Sequence, residues 1–591
     1  MKNSFGVVDY ILCIAMFMVS IGFGIYFGIV GRRNQNTQQY LMGDRKLSLI
    51  PVALSISVSV LSTNTILGVP AEVYGYGVMI FFMLVGELIA SILTVVMFVP
   101  LFYRLKLVSV NQYLEMRFNS KSVRLLGSLF FFLNSIFYVG TVIFGPATAL
   151  NIVTGIPPWA SIALVSVVGT LYTTIGGMKA VIWADAFQSI IMCGGMLAIC
   201  ILGANAVGGI QEVWTINQEW GRLKINNNID LTSRFSMGAV VIGYTHYWLG
   251  KFAVNQPCVQ RYCAMETQLK GKLAVLLNIP PFAIFHCLAV LTGMVTFAFY
   301  ASEGCDPIKA GYVTNQNQVV PYFVLDVMPY PGISGIFMSS VFSAALSTQS
   351  SSISSMTAVA WEDVLKDKYS HLTPQKQAFV TKILTVVFGI ACTGTSFLVL
   401  YVGGNLIQIS SSFNGATLGP MLGLFLLGPL VPWANWKGAL VGGISALTFS
   451  IWLMFGQVFS RLQRTPLPSS VSSCVADTWN ATSSTTLLPQ ISTTEFFTEA
   501  TNATDAEVPS GLKSFYSISF VWFAMFSAII VLIVGTIVSF LTGPQDSSKI
   551  DQTLLFPCFR QCKSMKQEYK SVKVTDFPMT ATMGEKDFTK T

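Results

Sequence analysis

One stretch of the sequence concentrates hydroxyl side chains inside an apolar segment. Residues 339–357 read SSVFSAALSTQSSSISSMT, in which eleven of nineteen residues are serine or threonine. If the stretch is helical, one face gathers the residues spaced by three and four positions: Ala344, Ser347, Thr348 and Ser351. A dehydrated face of neutral oxygens suits a small hard cation that must later be released. Close helix packing by small residues is the alternative, but the density of hydroxyls favours a cation site.

The composition is that of a membrane protein. Of the 591 residues, 53% are hydrophobic and only 10% are charged, whereas soluble domains carry about 25% charged residues. The net charge of +8 lies in short loops and the C-terminal tail, which indicates membrane topology and not nucleic-acid binding. The sequence contains no nucleophile–base pair, metal-ligand cluster or phosphate-binding loop. We therefore expect neither an enzyme nor a bound cofactor, and the sequence does not identify which proteins, if any, are its partners.

Thirteen apolar windows predict an all-α polytopic protein with thirteen transmembrane helices in the lipid bilayer. They are 7–30, 48–76, 78–103, 122–152, 157–176, 184–207, 236–256, 271–300, 331–361, 376–401, 403–430, 435–456 and 514–542. Basic residues follow alternate windows, which places those loops in the cytoplasm. These residues include Arg32, Arg45, Arg104, Arg117, Arg261, Lys270 and Lys366.

Potential glycosylation sites support the same topology. Asn480 and Asn502 begin the N-x-[ST] motifs and lie in the Ser/Thr-rich loop 457–513, which the count of windows places outside, where glycans are added. The protein is thus predicted to lie in the plasma membrane with its N-terminus extracellular and its C-terminus cytoplasmic. Cys305 and Cys474 also fall in outside loops, where a disulfide is stable, although the sequence alone does not pair them.

The second apolar window carries a polar patch at the depth of the membrane. Residues 62–65 read STNT, and Gly68-Val69-Pro70 follow directly. Such a sequence predicts a discontinuous helix, whose freed carbonyls are tolerated only where they line a cavity or bind an ion. A simple kink that neighbouring helices satisfy is the alternative.

A run between the fifth and sixth windows identifies a family resemblance. Residues 171–188 read LYTTIGGMKAVIWADAFQ, which resembles the signature of the sodium/solute symporter family, with Ala184 in place of the usual threonine. Four other segments are similar to the branch that holds the monocarboxylate, multivitamin and iodide symporters. They are LGVPAEVY at 67–74, VNQPCVQRY at 254–262, CDP at 305–307, and LST at 346–348 followed by AWED at 360–363. The resemblance covers about residues 5–456.

The resemblance implies a LeuT-like core of five plus five helices in inverted repeats, with sodium as the coupling ion. The core would span 48–430, after an extra helix and cytoplasmic loop in 1–47. Two accessory helices and the glycosylated loop would occupy 431–542, and a disordered cytoplasmic tail 543–591. The common sodium site would draw on Ser59, Ser62, the Ala344 carbonyl, Ser347 and Thr348, with Asp185 on the sodium exit route.

The same resemblance gives candidates for a substrate cavity and a second sodium site. The candidates for the second sodium are Ser62, Thr65 and Tyr138, and those for the substrate cavity are Ser62, Thr65, Tyr138, Trp248, Ser411 and Asn414. Two intramembrane charges, Glu87 and Lys251, add to them, because ionisable residues at this depth are usually functional. Lys251 stands where a neutral residue is expected. It is predicted to hold a carboxylate substrate, to pair with Glu87, or to extend to the cytoplasmic interface.

The expected function is sodium-coupled import of a small organic anion, a monocarboxylate or an anionic vitamin, by alternating access. A sodium-coupled sugar, polyol or choline symporter is the alternative within the class, and Glu87 keeps a polyol substrate open. A solute sensor or a sodium leak channel on the same fold is the alternative from another class.

Overall fold

The computed structural model describes residues 5–30, 37–45, 47–328, 330–402, 405–460, 465–474, 511–546 and 550–556. Helices account for most of these residues. The long ones are Val7–Val30, Leu49–Val60, Asn64–Tyr76, Val78–Leu105, Lys121–Thr154, Pro158–Val207, Gln268–Ser302, Ile333–Ala360, Pro374–Val402, Leu406–Leu430, Trp436–Phe459 and Phe520–Leu541, and 239–254 is also helical. Within the described ranges, nine helices are long and apolar enough to cross a membrane, and a bent pair makes a tenth.

Each of the thirteen predicted windows coincides with helical structure, but length and hydropathy support nine or ten spans. Pro158–Val207 is one continuous element of 50 residues. At a rise of 1.5 Å per residue it would be about 75 Å long if straight, more than twice the ~30 Å hydrocarbon core. Ile333–Ala360 is too rich in hydroxyls to pass a hydropathy test, and 239–254 is too short. The count of thirteen stays a prediction.

Pro158–Val207 reverses its direction at Gly177. The backbone there adopts φ 61° and ψ −160°, a conformation that favours glycine because it has no Cβ. Val7–Val30 runs beside both parts: its Gly28 packs on Ile175 before the break, whereas its Ser20 accepts a hydrogen bond from Gln188 after it. The element therefore folds back on itself, as two spans joined by a glycine turn would.

The serine-rich helix, Ile333–Ala360, lies at the centre of the molecule. All but two of its residues are buried, and it packs closely on the second part of Pro158–Val207. A Cβ built on Gly195 would lie 2.0 Å from Ser340 Oγ, so only glycine allows this approach. The Ser340 hydroxyl donates instead to the carbonyl of Ile191, at 2.9 Å. Small side chains thus let a polar helix occupy the core.

The broken helix consists of two halves, Leu49–Val60 and Asn64–Tyr76, which meet at an angle of 57°. We name them the inner half and the outer half after the predicted topology. The helical path is lost at Leu61, with φ −81° and ψ 102°, and resumes after Ser62 and Thr63. The predicted discontinuity is therefore present. It lies at the polar patch and not at Gly68-Val69-Pro70. The helix continues through these three residues, because Pro70 follows a π-helical turn at Asn64–Gly68, where the regular α-helical hydrogen bonds are already interrupted.

Two arginines that the sequence placed among the cytoplasmic loop charges are buried instead. Arg117 is 1% exposed and donates to the carbonyls of Gly428, Val431 and Pro432 at the end of Leu406–Leu430. It satisfies backbone acceptors that the helix leaves open. Arg261 is 2% exposed and belongs to a buried ion pair described below.

The candidate disulfide is present, and the start of the tail differs from the sequence expectation. Cys305 and Cys474 form a disulfide with an S–S distance of 2.11 Å, which fixes residues 465–474 beside the outer half of the broken helix, where Leu467 donates to the Gly75 carbonyl. The tail was expected to be disordered throughout, but Phe556 is fully buried against Phe98, with ring centroids 5.2 Å apart. Asn480, Asn502 and residues 557–591 lie outside the described residues.

Candidate functional site

Three hydroxyls of the serine-rich helix are buried without hydrogen-bond partners among the described residues. They belong to Ser343, Ser347 and Thr348, and each of these side chains is 0% exposed. Most helical serines and threonines donate to the carbonyl one turn earlier, as Thr357 does to Ile353 at 2.9 Å. A buried polar group without a partner costs about 1–3 kcal/mol. A bound cation would compensate this cost, because hydroxyl oxygens are suitable ligands for a hard cation.

A buried carboxylate lies beside these hydroxyls. Asp185 is 0% exposed, and its Oδ2 accepts from Ser55 Oγ at 2.6 Å and from Arg261 Nη2 at 3.2 Å. Ser351 Oγ donates to the same oxygen at 3.4 Å. Asp185 Oδ1 has no partner within the described residues, and Ser347 faces this carboxylate without forming a hydrogen bond of ordinary geometry. The inner half of the broken helix, the serine-rich helix and Pro158–Val207 thus meet at one polar centre.

The broken helix carries two further buried hydroxyls, on Ser59 and Ser62. Ser59 donates its hydroxyl to the Ser55 carbonyl, which leaves the lone pairs of its oxygen free to accept. Ser62 Oγ accepts from the Asn64 backbone N–H at 3.2 Å, so it caps the outer half. Both residues are buried. Ser59 and Ser62 are therefore available as cation ligands, but the assignment stays a prediction.

A second polar cluster surrounds Lys251 in the helical segment 239–254. Lys251 is 3% exposed, and its Nζ donates to Asn414 Oδ1 at 2.9 Å. The ammonium also lies 3.8 Å from the centroid of the Tyr138 ring, a cation–π distance. Asn414 in turn accepts from Asn134 at 2.8 Å and donates to the Ser410 carbonyl at 2.7 Å. The structure therefore brings together three predicted substrate residues, Tyr138, Lys251 and Asn414.

Two of the three alternatives for Lys251 are wrong. Its ammonium is buried and bonded to Asn414, so the side chain does not reach the cytoplasmic interface. It also forms no ion pair with Glu87, whose Oε1 accepts from Ser91 at 2.9 Å and from Asn278 at 3.5 Å. Glu87 is thus held by a separate polar group, apart from the cluster around Lys251. The role as a carboxylate anchor stays a prediction.

The remaining candidates for the substrate cavity are Trp248, Thr65 and Ser411. Trp248 is 5% exposed, and its indole Nε1 has no partner among the described residues. Its ring stacks on Phe252 and meets the edge of the Phe282 ring at 4.9 Å. Thr65 is buried and Ser411 is half-buried. The aromatic rings around Trp248, its indole N–H and the Lys251 ammonium together suit the binding of a small polar ligand.

Sequence reasoning missed several residues of both clusters. Ser55 and Arg261 hold Asp185, and Asn134 and Ser410 hold Asn414. Asn134 and Arg261 each carried a signal that could have found them, since amides and charges at membrane depth usually bond across helices or mark a site. Ser410 begins a run of three serines, 410–412, and nothing in the sequence selects it over the candidate Ser411.

Comparison with known proteins agrees with this geometry. Residues 40–446 match the model of the sodium:solute symporter family. The chain belongs to that family. It is 37% identical to the human sodium/iodide cotransporter over 94% of this chain and 86% of that one. It is 35% identical to the mouse sodium-coupled monocarboxylate transporter 2 (95% and 88% covered) and to the human sodium-coupled monocarboxylate transporter 1 (97% and 95%).

A solved structure establishes the fold. A Na+-coupled sialic acid symporter in its substrate-bound, outward-open state superposes with a TM-score of 0.70 at 23% identity, covering 92% of this chain and 100% of that one. The all-α, LeuT-like membrane fold expected from the resemblance is confirmed. The members compared here are transporters, so the expected non-enzymatic role is confirmed as well, and family membership implies sodium as the coupling ion.

The symporter has a further buried ion pair at the end of the broken helix remote from Asp185. Arg234 is bonded to Glu72 through two nitrogens, Nε and Nη2, the latter at 2.9 Å. Its Nη1 donates to Gln408 at 3.0 Å, and Asn405 donates to Glu72 at 3.2 Å. The pair joins the outer half of the broken helix to the segment before 239–254 and to the start of Leu406–Leu430.

Replacing Glu72 by glutamine is expected to destabilise the symporter by about 3–5 kcal/mol, because Arg234 would stay buried without its counter-ion. The measurement is the melting temperature of purified protein in detergent. Asp367→Asn is the matched control, since Asp367 and its partner Lys121 are both exposed and such pairs contribute little. Equal melting temperatures for the two variants would contradict this assignment.

Proposed function

We propose that this protein is a plasma-membrane symporter that uses inward sodium movement to import a small organic anion, a monocarboxylate or an anionic vitamin. The family couples solute transport to sodium, and the relatives described above are named for iodide and for monocarboxylates. The observation that carries the proposal is a set of three buried oxygens, Ser347 Oγ, Thr348 Oγ1 and Asp185 Oδ1, none of which has a hydrogen-bond partner among the described residues.

In this proposal sodium binds between the broken helix and the serine-rich helix. Its ligands are the hydroxyls of Ser59, Ser62, Ser347 and Thr348 and the carbonyl of Ala344. A cation bound by both helices fixes the break at Leu61–Thr63. Because sodium binds more tightly to the conformation in which the substrate cavity is complete, it shifts the protein toward that conformation. Asp185 lies next to this site and receives the ion as it leaves toward the cytoplasm.

The substrate binds beside Lys251 in a cavity formed by Thr65, Tyr138, Trp248, Ser411 and Asn414. A buried ammonium supplies the charge that a carboxylate needs, and the apolar wall around Trp248 accommodates the organic part. The proposed topology has the N-terminus outside and the C-terminus in the cytoplasm, so that the Glu72–Arg234 pair faces the exterior and Asp185 lies toward the interior.

Tracer uptake tests the proposal directly. Cells that express the full chain are given radiolabelled lactate, nicotinate, biotin, iodide or myo-inositol, with sodium present or replaced by choline. We expect sodium-dependent uptake of a carboxylate that is inhibited by excess unlabelled compound. Sodium-dependent uptake of myo-inositol alone would contradict the anion assignment and make Glu87 the residue to test. A sodium flux that no solute alters would contradict coupling.

A further inference from the structure

The cluster around Lys251 holds a positive charge without a negative partner. The side chain is 3% exposed, its Nζ bonds the neutral Asn414 Oδ1, and it lies above the Tyr138 ring. No carboxylate of the described residues lies within the 4.0 Å of an ion pair. A buried charge of this kind is costly unless it is compensated. An anion that enters the cavity supplies the missing charge.

Hydrogen bonds link this ammonium to both halves of the broken helix. Tyr138, whose ring lies under Nζ, donates its hydroxyl to the carbonyl of Val60 at 3.3 Å. Val60 is the last residue of the inner half. On the other side, Asn414 donates to Ser410 Oγ at 3.1 Å, and the same oxygen accepts from Asn64 at 2.7 Å. Asn64 is the first residue of the outer half. A cation in this position therefore holds the break from both sides.

A second sodium ion bound next to the substrate would also be expected to hold the two halves of the broken helix together. The candidates for such a second sodium site, Ser62, Thr65 and Tyr138, lie at the break or under the ammonium itself. The ammonium bonds Asn414 and covers the ring of Tyr138, a residue that a second sodium ion would have to share with it. Two cations held by one residue repel each other strongly in a medium of low dielectric constant. We therefore expect the site to hold one cation and not two.

We propose that the Lys251 ammonium replaces a second coupling sodium and is the counter-charge of the substrate carboxylate. The inference rests on the proposed function and adds its stoichiometry. One sodium ion and one monovalent carboxylate move together, so the transported charges sum to zero, while the ammonium stays with the protein throughout the cycle. Transport is electroneutral, and neutral polyols lack the charge that the site requires.

The stoichiometry of the unmodified chain tests this inference. Oocytes that express the full chain are voltage-clamped, and the uptake of radiolabelled sodium is measured together with that of radiolabelled nicotinate or lactate. We expect one sodium per carboxylate, a sodium Hill coefficient near one, and no net current that follows the uptake. Two sodium ions and one positive charge per carboxylate would overturn the inference and leave the proposed function intact. Carboxylate uptake that is independent of sodium would overturn both.

Variants at Lys251 give a second test. Lys251→Gln removes the charge, and we expect nicotinate and lactate uptake to fall at least tenfold at equal surface expression. Lys251→Arg keeps the charge and is expected to keep the one-to-one ratio at a lower rate. Lys437→Gln, which removes an exposed lysine, is the matched control. If Lys251→Gln reaches the surface and transports either carboxylate with the ratio of the unmodified chain, the inference is wrong.

Discussion

The sodium concentration for half-maximal uptake is expected to rise at least tenfold when Thr348 is replaced by alanine. The Thr348 hydroxyl is fully buried and has no partner within the described part of the chain, so its proposed role is to bind the ion. Loss of one oxygen ligand at ~1.4 kcal/mol corresponds to a factor of ten in affinity. Thr348→Ser keeps the hydroxyl and is expected to stay close to the unmodified protein. Ser347→Ala is expected to resemble Thr348→Ala.

A control on the same helix separates sodium binding from packing. Ser340 is equally buried, but its hydroxyl donates to the carbonyls of Ile191 and Ile336, both at 2.9 Å. Ser340→Ala is therefore expected to leave the sodium dependence unchanged. Since Thr348 Oγ1 has no hydrogen-bond partner among the residues that the structure describes, Thr348→Ala is also expected to keep its melting temperature in choline chloride. A loss of stability without sodium would show that the hydroxyl serves packing instead.

The largest expected effect belongs to Asp185. Asp185→Asn leaves Arg261 buried, with only 2% exposure, and without its counter-ion. Removal of one partner of a buried pair costs about 3–5 kcal/mol. We expect a sharp fall in melting temperature and loss of sodium-dependent uptake. Ser55 and Ser351, which also bond Asp185, lose an ionic acceptor at the same time.

A double variant tests whether the pair acts as a unit. Asp185→Asn combined with Arg261→Gln removes both charges, so the melting temperature is expected to recover a large part of the loss. Sodium-dependent uptake is not expected to return, because the carboxylate on the proposed exit route is still absent. If the double variant is no more stable than Asp185→Asn alone, the two residues do not depend on each other for stability.

The sequence anticipated the parts of the site that depend on local pattern. The hydroxyl face of the serine-rich helix follows from spacing along one helix, and the break follows from a polar patch where the membrane requires backbone groups to be satisfied. The hydroxyl face and the polar patch each lie within about two helical turns of sequence, so both can be found without knowing the neighbouring helices. The family motifs then supplied the LeuT-like arrangement that the solved symporter structure confirms.

The parts that the sequence could not give depend on contacts between distant helices. Arg117 and Arg261 are read as loop charges because they stand near the ends of apolar windows, yet each finds buried acceptors far away in the chain. The partner of Lys251 is Asn414, 163 positions later, and no local pattern selects it over Glu87. Likewise, the docking of Phe556 on Phe98 depends on a crevice that only the folded helices form.

The most direct test of the central claim is sodium binding in the absence of substrate. Purified protein is heated in sodium chloride and in choline chloride, beside the double variant Ser347→Ala with Thr348→Ala. Sodium at about one hundred times its dissociation constant stabilises the native state by ~2.7 kcal/mol. We predict a higher melting temperature in sodium for the unmodified protein and no difference between the salts for the double variant. An equal sodium-dependent rise in both proteins would contradict a site at Ser347 and Thr348.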